Sequence, residues 1–188
     1  MNYLLTTISR LNYPINLGHD NKIKSSDLDL GKFFTDLPQT PFVYNDAQNS
    51  DVSFDILTSK NAIESVSGGV LVSRRVKSLL EEYFPQEVQY FDTEVNYKGQ
   101  FTNDYFVFNV YNKIECYDLE KSEYSIHSVD RSYQFRKIVP ITTPLEEYGY
   151  EYNIVRCVYD NRIVVSEAVK KLLETHRILG FGFKKQYP

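Results

Sequence analysis

The pattern of hydrophobic and polar residues occurs twice in this chain. Residues 72–81 read Val-Ser-Arg-Arg-Val-Lys-Ser-Leu-Leu-Glu, and residues 165–174 read Val-Ser-Glu-Ala-Val-Lys-Lys-Leu-Leu-Glu, so that seven of ten positions are identical. Apolar residues recur in both copies at i, i+3 and i+4, the spacing of one face of an α-helix. A β-branched run precedes each copy, and a short aromatic or apolar run follows it. The pattern predicts two related strand–helix–strand units in one fold.

Each predicted helix carries signals at its ends. Ser73 and Ser166 stand where a side-chain oxygen can accept a hydrogen bond from the first helical turn, an N-cap worth about 1 kcal/mol. Pro85 ends the first helix, and Gly180 follows the end of the second. We therefore predict two N-capped amphipathic helices that occupy related positions.

Strand patterns dominate the rest of the carboxy-terminal part. Residues 105–111, 114–117, 133–139 and 152–158 are rich in β-branched and aromatic side chains, which favour strands. Because strands outnumber helices, the predicted fold class is α+β, with a mainly antiparallel sheet and two related helices in a single domain.

The amino-terminal part has less periodicity. Residues 1–66 contain many proline, glycine and asparagine residues, which predict loops with short strands near residues 2–7 and 42–44 and a helical turn near residues 30–36. The predicted organisation is an irregular, acidic amino-terminal region (1–66) and an α+β core (67–188), together forming one domain.

Composition and charge narrow the class of protein. The chain has 188 residues, of which 42% are hydrophobic, enough for a proper core. It has neither a membrane-spanning run nor a secretion signal, and its two cysteines suit a reducing compartment, so we expect a cytoplasmic protein that contacts no membrane.

The charge of the chain bears on its partners. The net charge is −4, and residues 20–55 contain seven aspartates but only three lysines. This balance argues against nucleic-acid binding and is compatible either with a basic protein partner or with a solvated surface.

Candidate catalytic and metal-binding residues are not visible in the sequence. The histidines His19, His127 and His176 stand in unrelated contexts, and no phosphate-binding glycine motif is present. A dyad between a histidine and Cys116 or Cys157 stays open, because such partners meet in space rather than in sequence. We predict no catalytic residue, no cofactor and no metal.

One segment is a candidate for protein binding. Residues 145–152 combine three tyrosines and three glutamates around one glycine. Tyrosine offers a large apolar area with a polar tip, which suits interfaces, and the carboxylates would suit a basic partner. An ordinary exposed loop is the alternative. The predicted partner-binding residues are Glu146, Glu147, Tyr148, Tyr150, Glu151 and Tyr152.

Two arginines stand at an unfavourable place. Arg74 and Arg75 lie in the first turn of the predicted helix, where positive charge opposes the helix dipole. They either pair with the acidic amino-terminal half or are solvated without a role.

The repeated motif, together with Tyr105-Phe106-Val107-Phe108-Asn109-Val110, the segment 116–122 and Gly180-Phe181-Gly182-Phe183, resembles the bacterial immunity proteins found beside polymorphic toxins. The resemblance covers about residues 70–183. It implies an α+β, cytoplasmic, non-enzymatic protein that binds the toxin domain encoded by a neighbouring gene. The absence of tryptophan and the amino-terminal third depart from the family pattern.

The functional hypothesis is therefore an immunity protein that neutralises a cognate, basic toxin by stoichiometric binding, of unassigned oligomeric state. The alternatives are a small cytoplasmic enzyme acting on a nucleotide or a modified protein, and a constitutive subunit of a larger assembly.

Overall fold

The fold was established from a computed structural model, which describes residues 1–8, 17–19, 23–36, 38–46, 51–65 and 68–187. The strands in these residues are β1 (Asn2–Thr7), β2 (Leu17–His19), β3 (Phe42–Asp46), β4 (Ala62–Glu64), β5 (Val70–Ser73), β6 (Val88–Tyr97), β7 (Gln100–Thr102), β8 (Tyr105–Val110), β9 (Lys113–Ile114), β10 (Glu123–Ile126), β11 (Tyr133–Lys137), β12 (Leu145–Glu147), β13 (Tyr150–Tyr152), β14 (Ile154–Cys157), β15 (Ile163–Ser166) and β16 (Phe181–Lys184). The helices are α1 (Ser25–Asp29), α2 (Phe54–Thr58), α3 (Arg74–Tyr83) and α4 (Glu167–Thr175).

Two sheets form the body of the protein. One has the strand order β2-β3-β6-β8-β5-β4, with β7 added to β6, and the other has the order β16-β1-β15-β14-β9. The pairs β10–β11 and β12–β13 form two separate hairpins. The pairs β3–β6 and β9–β14 are parallel, and the other strand pairs of the described residues are antiparallel. The molecule is thus a mixed, sheet-rich single domain, consistent with the predicted α+β class.

The sequence repeat corresponds to a structural repeat. The strands around α3 lie in the order β6-β8-β5-β4, and the strands around α4 lie in the matching order β16-β1-β15-β14. The registers agree as well, because Val72 pairs with Phe106 in the first unit and Val165 pairs with Tyr3 in the second. The second unit is therefore completed by β1, far away in sequence, which the repeat alone could not indicate.

Equivalent asparagines hold the start of each helix. The backbone N–H and the hydroxyl of Ser73 both donate to Asn61 (2.9 and 3.1 Å), and the same two groups of Ser166 both donate to Asn153 (2.9 and 2.8 Å). Ser166 also accepts a hydrogen bond from the Val169 N–H (3.4 Å), as an N-cap should. Ser73 accepts no such bond. Ser73 is therefore the N-cap residue of α3, as predicted, but the expected capping hydrogen bond is absent because its hydroxyl donates to Asn61 instead.

The repeated lysine has the same surroundings in both units. Lys77 Nζ lies 2.6 Å from the carboxylate four residues later and 5.3 Å from the centre of the Phe106 ring. Lys170 Nζ lies 3.1 Å from its own i+4 carboxylate and 5.2 Å from the Tyr3 ring. Because Phe106 and Tyr3 hold equivalent register positions, the correspondence between the units extends to individual side chains.

The two units share one hydrophobic core. Val76 and Leu80 of α3 are buried in the same cluster as Val169 and Leu173 of α4. The rings of Phe108 and Phe181, one from each sheet, lie 6.5 Å apart in this cluster. The apolar faces of both helices are therefore buried in one shared cluster, which lies between the two units.

A partly buried carboxylate joins the units. Glu87 Oε2 accepts hydrogen bonds from the backbone N–H groups of Asn153 (2.7 Å) and Ile154 (2.6 Å), which begin β14. Burial raises the pKa of Glu87 above its ordinary value, and the hydrogen bonds from Asn153 and Ile154 oppose that shift. The bonds satisfy two backbone donors at the start of a strand in the core, where unpaired groups would be costly.

The amino-terminal region is less irregular than the sequence predicts. The strands expected near residues 2–7 and 42–44 are present as β1 and β3. The helical turn expected near residues 30–36 is wrong, because the helix is α1, at Ser25–Asp29, and α2 and β4 were not anticipated. The region contributes strands to both sheets through β1, β2, β3 and β4, and non-local pairing of this kind leaves no local periodic signal.

Candidate functional site

The candidate binding segment is a β-hairpin rather than a loop. β12 and β13 pair in the register Leu145↔Tyr152, Glu146↔Glu151 and Glu147↔Tyr150. The two turn residues, Tyr148 and Gly149, have φ angles of 52° and 79°. Positive φ at both central positions is the turn that matches the twist of paired strands. The loop prediction is therefore corrected, since the tyrosine–glycine pair forms the turn that joins two strands.

The hairpin is anchored at its base and free at its tip. Leu145 is 1% exposed, and its partner Tyr152 is partly buried against the same hydrophobic cluster. At the other end Tyr148 is 92% exposed and Tyr150 is 70% exposed. Two exposed tyrosines within three residues offer a large apolar area with polar tips, so the tip is a candidate contact surface.

The carboxylates of the hairpin have no counter-charge among the residues that the structure describes. Glu146 and Glu151 are exposed and lie directly opposite each other across the two strands. Like charges in this position destabilise a hairpin by a few tenths of a kcal/mol. Among the described residues, no basic side chain lies within 4 Å of Glu146, Glu147 or Glu151. The tip thus combines exposed aromatic area with uncompensated negative charge.

Arg74 and Arg75 make contacts that the sequence did not suggest. Arg74 Nε lies 3.1 Å from Asp104 Oδ1, and Arg75 donates a hydrogen bond to the His176 carbonyl (2.6 Å) at the end of α4. One hypothesis was that these arginines pair with the acidic amino-terminal half. Neither contact involves that half. Arg75 instead links the start of one repeated helix to the end of the other, and a cation suits a helix carboxyl end.

The two cysteines are neighbours in the core. Cys116 and Cys157 are both fully buried in the cluster below the hairpin. A hydrogen bond with Cys157 and burial together raise the pKa of the Cys116 thiol well above its usual range. Burial also opposes ionisation of Cys157, but hydrogen bonds with Cys116 and with the Tyr159 backbone outweigh it and lower the pKa of that thiol. Both sulfur atoms are closed off from solvent, so the geometry favours a packing role for this pair.

The histidines stand apart from one another. His19 packs against the rings of Phe42 and Tyr44, at centroid distances of 5.3 and 5.1 Å. His127 Nδ1 lies 2.9 Å from Asp130, and His176 is exposed. Within the described ranges, no three His, Cys, Asp or Glu side chains are grouped so as to hold a metal ion. In the same ranges, no helix is long and apolar enough to cross a membrane.

A second aromatic surface was missed by the sequence analysis. On the β10–β11 hairpin, Tyr124 lies 5.2 Å from Tyr133, and Tyr133 lies 4.6 Å from the Tyr159 ring. Tyr124 is 38% exposed. The alternation of Tyr133, Gln134 and Phe135 was a signal for it, since alternate residues of a strand share one face.

Comparison with known proteins identifies the family. No curated protein matches the chain. The model of the immunity protein family Imm11 matches residues 14–187, which is wider than the resemblance at residues 70–183 and includes most of the amino-terminal third. Because the match covers nearly the whole chain, the protein belongs to the immunity protein family Imm11.

Proposed function

We propose that this immunity protein neutralises a cognate bacterial toxin by stoichiometric binding in the cytoplasm, and that the β12–β13 hairpin contacts the toxin. Family membership supports a partner toxin, and a binding role accords better with it than catalysis does. We choose this surface because Tyr148 and Tyr150 are exposed at its tip. The carboxylates beside them are not paired with a basic side chain of the described residues.

The hairpin has the features of an energetic centre in an interface. A few desolvated aromatic side chains supply most of the binding energy in protein complexes, and tyrosine is enriched among them. The base is fixed by Leu145 in the core, so little order must be gained on binding. The three glutamates favour a basic face on the toxin, because complementary charge speeds association and excludes wrong partners.

Truncating the aromatic tip is expected to weaken toxin binding. Tyr148→Ala and Tyr150→Ala should each accelerate dissociation and cost about 2 kcal/mol or more, since the apolar contact area is lost. Replacing Glu146, Glu147 and Glu151 together by lysine should slow association and reverse its salt dependence. The measurement is binding kinetics, at two salt concentrations, against the toxin encoded by the neighbouring gene.

The matched controls are on α3. Tyr83→Ala removes a tyrosine that is 53% exposed, and Glu82→Lys reverses an exposed charge. Both should leave affinity within a factor of about two. If the hairpin variants also stay within that factor, the toxin contacts another surface, and the proposal for the hairpin fails while family membership stands.

The cysteines are expected to be dispensable for protection. A Cys116→Ala, Cys157→Ala double variant should lose some stability, about 1 kcal/mol per buried sulfur removed, and keep its ability to neutralise the toxin. The assay compares survival of toxin-expressing cells with the folded fraction of the variant, measured by thermal unfolding. A variant that is folded at the assay temperature and does not protect would favour the enzymatic alternative.

A further inference from the structure

A groove with a volume of about 850 Å³ lies beside the five-stranded sheet. Its walls come from β1 and β16, from residues 161–163, and from Glu64 and Val70 of the other sheet. The volume falls within the range of small-molecule sites, roughly 300–1,000 Å³. The toxin contact proposed above does not involve it.

The charge of this groove is opposite to that of the protein as a whole. Arg156, Arg162 and Lys184 line it together with one carboxylate, Glu64, although the net charge of the chain is −4. Glu64 accepts a hydrogen bond from Thr7 (3.3 Å), another residue of the wall. A concave surface with an excess of cations concentrates anions.

Two of these cations share one aromatic ring. Arg162 Cζ lies 4.4 Å from the centre of the Tyr187 ring, and Lys184 Nζ lies 4.3 Å from it. Arg162 is also 3.4 Å from Asp160, whereas no carboxylate of the described residues lies within 4 Å of Lys184. Both cations therefore line the groove beside one ring, and an anion bound in the groove would be attracted by both.

The third cation is buried. Arg156 is 6% exposed and donates to three backbone carbonyls, those of Val110 (2.7 Å), Asn161 (2.7 Å) and Leu28 (3.1 Å). A guanidinium has five N–H groups, so three hydrogen bonds leave two N–H donors unused. No carboxylate of the described ranges lies within 4 Å of this guanidinium. Burial lowers the pKa of Arg156 to about 10, which keeps it charged at neutral pH. Asp29, more than 4 Å away, attracts this charge and partly opposes the shift, and an anion in the groove would stabilise it further.

We propose that the groove binds a phosphorylated small molecule of about nucleotide size, with its phosphate on Arg162 and Lys184 near the buried Arg156. A guanidinium and an ammonium group in the wall of one groove offer several N–H donors to the oxygens of a phosphate. The apolar side chains of Leu5, Ile8 and Phe183, which line the same groove, would contact the organic part.

The test is titration calorimetry of the full chain with AMP, inorganic phosphate, adenosine and citrate. AMP should bind saturably below about 1 mM, phosphate more weakly, and adenosine and citrate weaker still. The Arg162→Gln, Lys184→Gln double variant should weaken AMP binding at least about tenfold. The matched control is Lys171→Gln, Arg136→Gln, which removes two exposed charges outside the groove and should bind AMP as the parent does.

A second readout locates the ligand. Adding AMP to ¹⁵N-labelled protein should shift the backbone amide signals of Thr7, Gly182 and Lys184, and leave those of Tyr148 and Gly149 unchanged. The proposal is overturned if AMP does not bind, if citrate binds as tightly as AMP, if the double variant binds AMP like its control, or if the shifted signals lie outside the groove.

Discussion

Replacing Gly31 by alanine is expected to lower the free energy of unfolding by about 3 kcal/mol or more. Gly31 has a φ angle of +61°, a conformation that costs an L-residue about 1 kcal/mol. The added methyl group would also overlap the Val110 carbonyl oxygen and the Arg156 side chain. The Arg156 guanidinium donates to that same oxygen, so relieving the overlap separates a buried charge from its acceptor.

Gly99→Ala is the matched control for this prediction. Gly99 has a similar φ angle of +74°, but no atom lies within 4 Å of the position that its Cβ would take. Its replacement should cost about 1 kcal/mol from the backbone conformation alone. Urea unfolding of the two variants distinguishes the cost of the backbone conformation from the cost of the steric overlap. Equal losses would show that the Arg156 side chain moves aside freely and that its carbonyl contacts contribute little.

The sequence predicted the elements whose signals are local. The helices α3 and α4 follow from apolar residues at helical spacing, and β8 and β11 follow from short runs of β-branched and aromatic residues. The repeat also predicted that two units are related. Local composition could not show that the strand completing the second unit is β1, because the pairing of Tyr3 with Val165 joins residues far apart in sequence.

The sequence analysis selected the residues of the candidate site but described their conformation as a loop. Tyr148 occupies a turn position with a positive φ angle, which tyrosine seldom adopts, so the segment lacks the residues typical of a tight hairpin turn. The groove was not visible at all. It is lined by three cations from separate parts of the chain, Arg156, Arg162 and Lys184. In a sequence, isolated basic residues of this kind are usually interpreted as surface charge.

Truncating the repeated leucines should give large and similar losses in the two units. Leu80 is 2% exposed and Leu173 is 1% exposed, and both lie in the core shared by the units. Leu80→Ala and Leu173→Ala should each lower the free energy of unfolding by roughly 2–5 kcal/mol, since a buried side chain is lost and a cavity remains. Denaturant unfolding measures both losses. Leu179→Ala, at a leucine that is 67% exposed, should cost less than about 0.5 kcal/mol.

The double variant tests whether the two units fold as one. Because Leu80 and Leu173 belong to a single cluster, removing both should destabilise the whole protein in one transition. The near-equal single losses would follow from equivalent positions in the repeat. Two separate unfolding transitions, each sensitive to one leucine, would instead mean that the shared cluster does not couple the unfolding of the two units. A loss below about 1 kcal/mol at either position would show that its helix presents a different face to the interior.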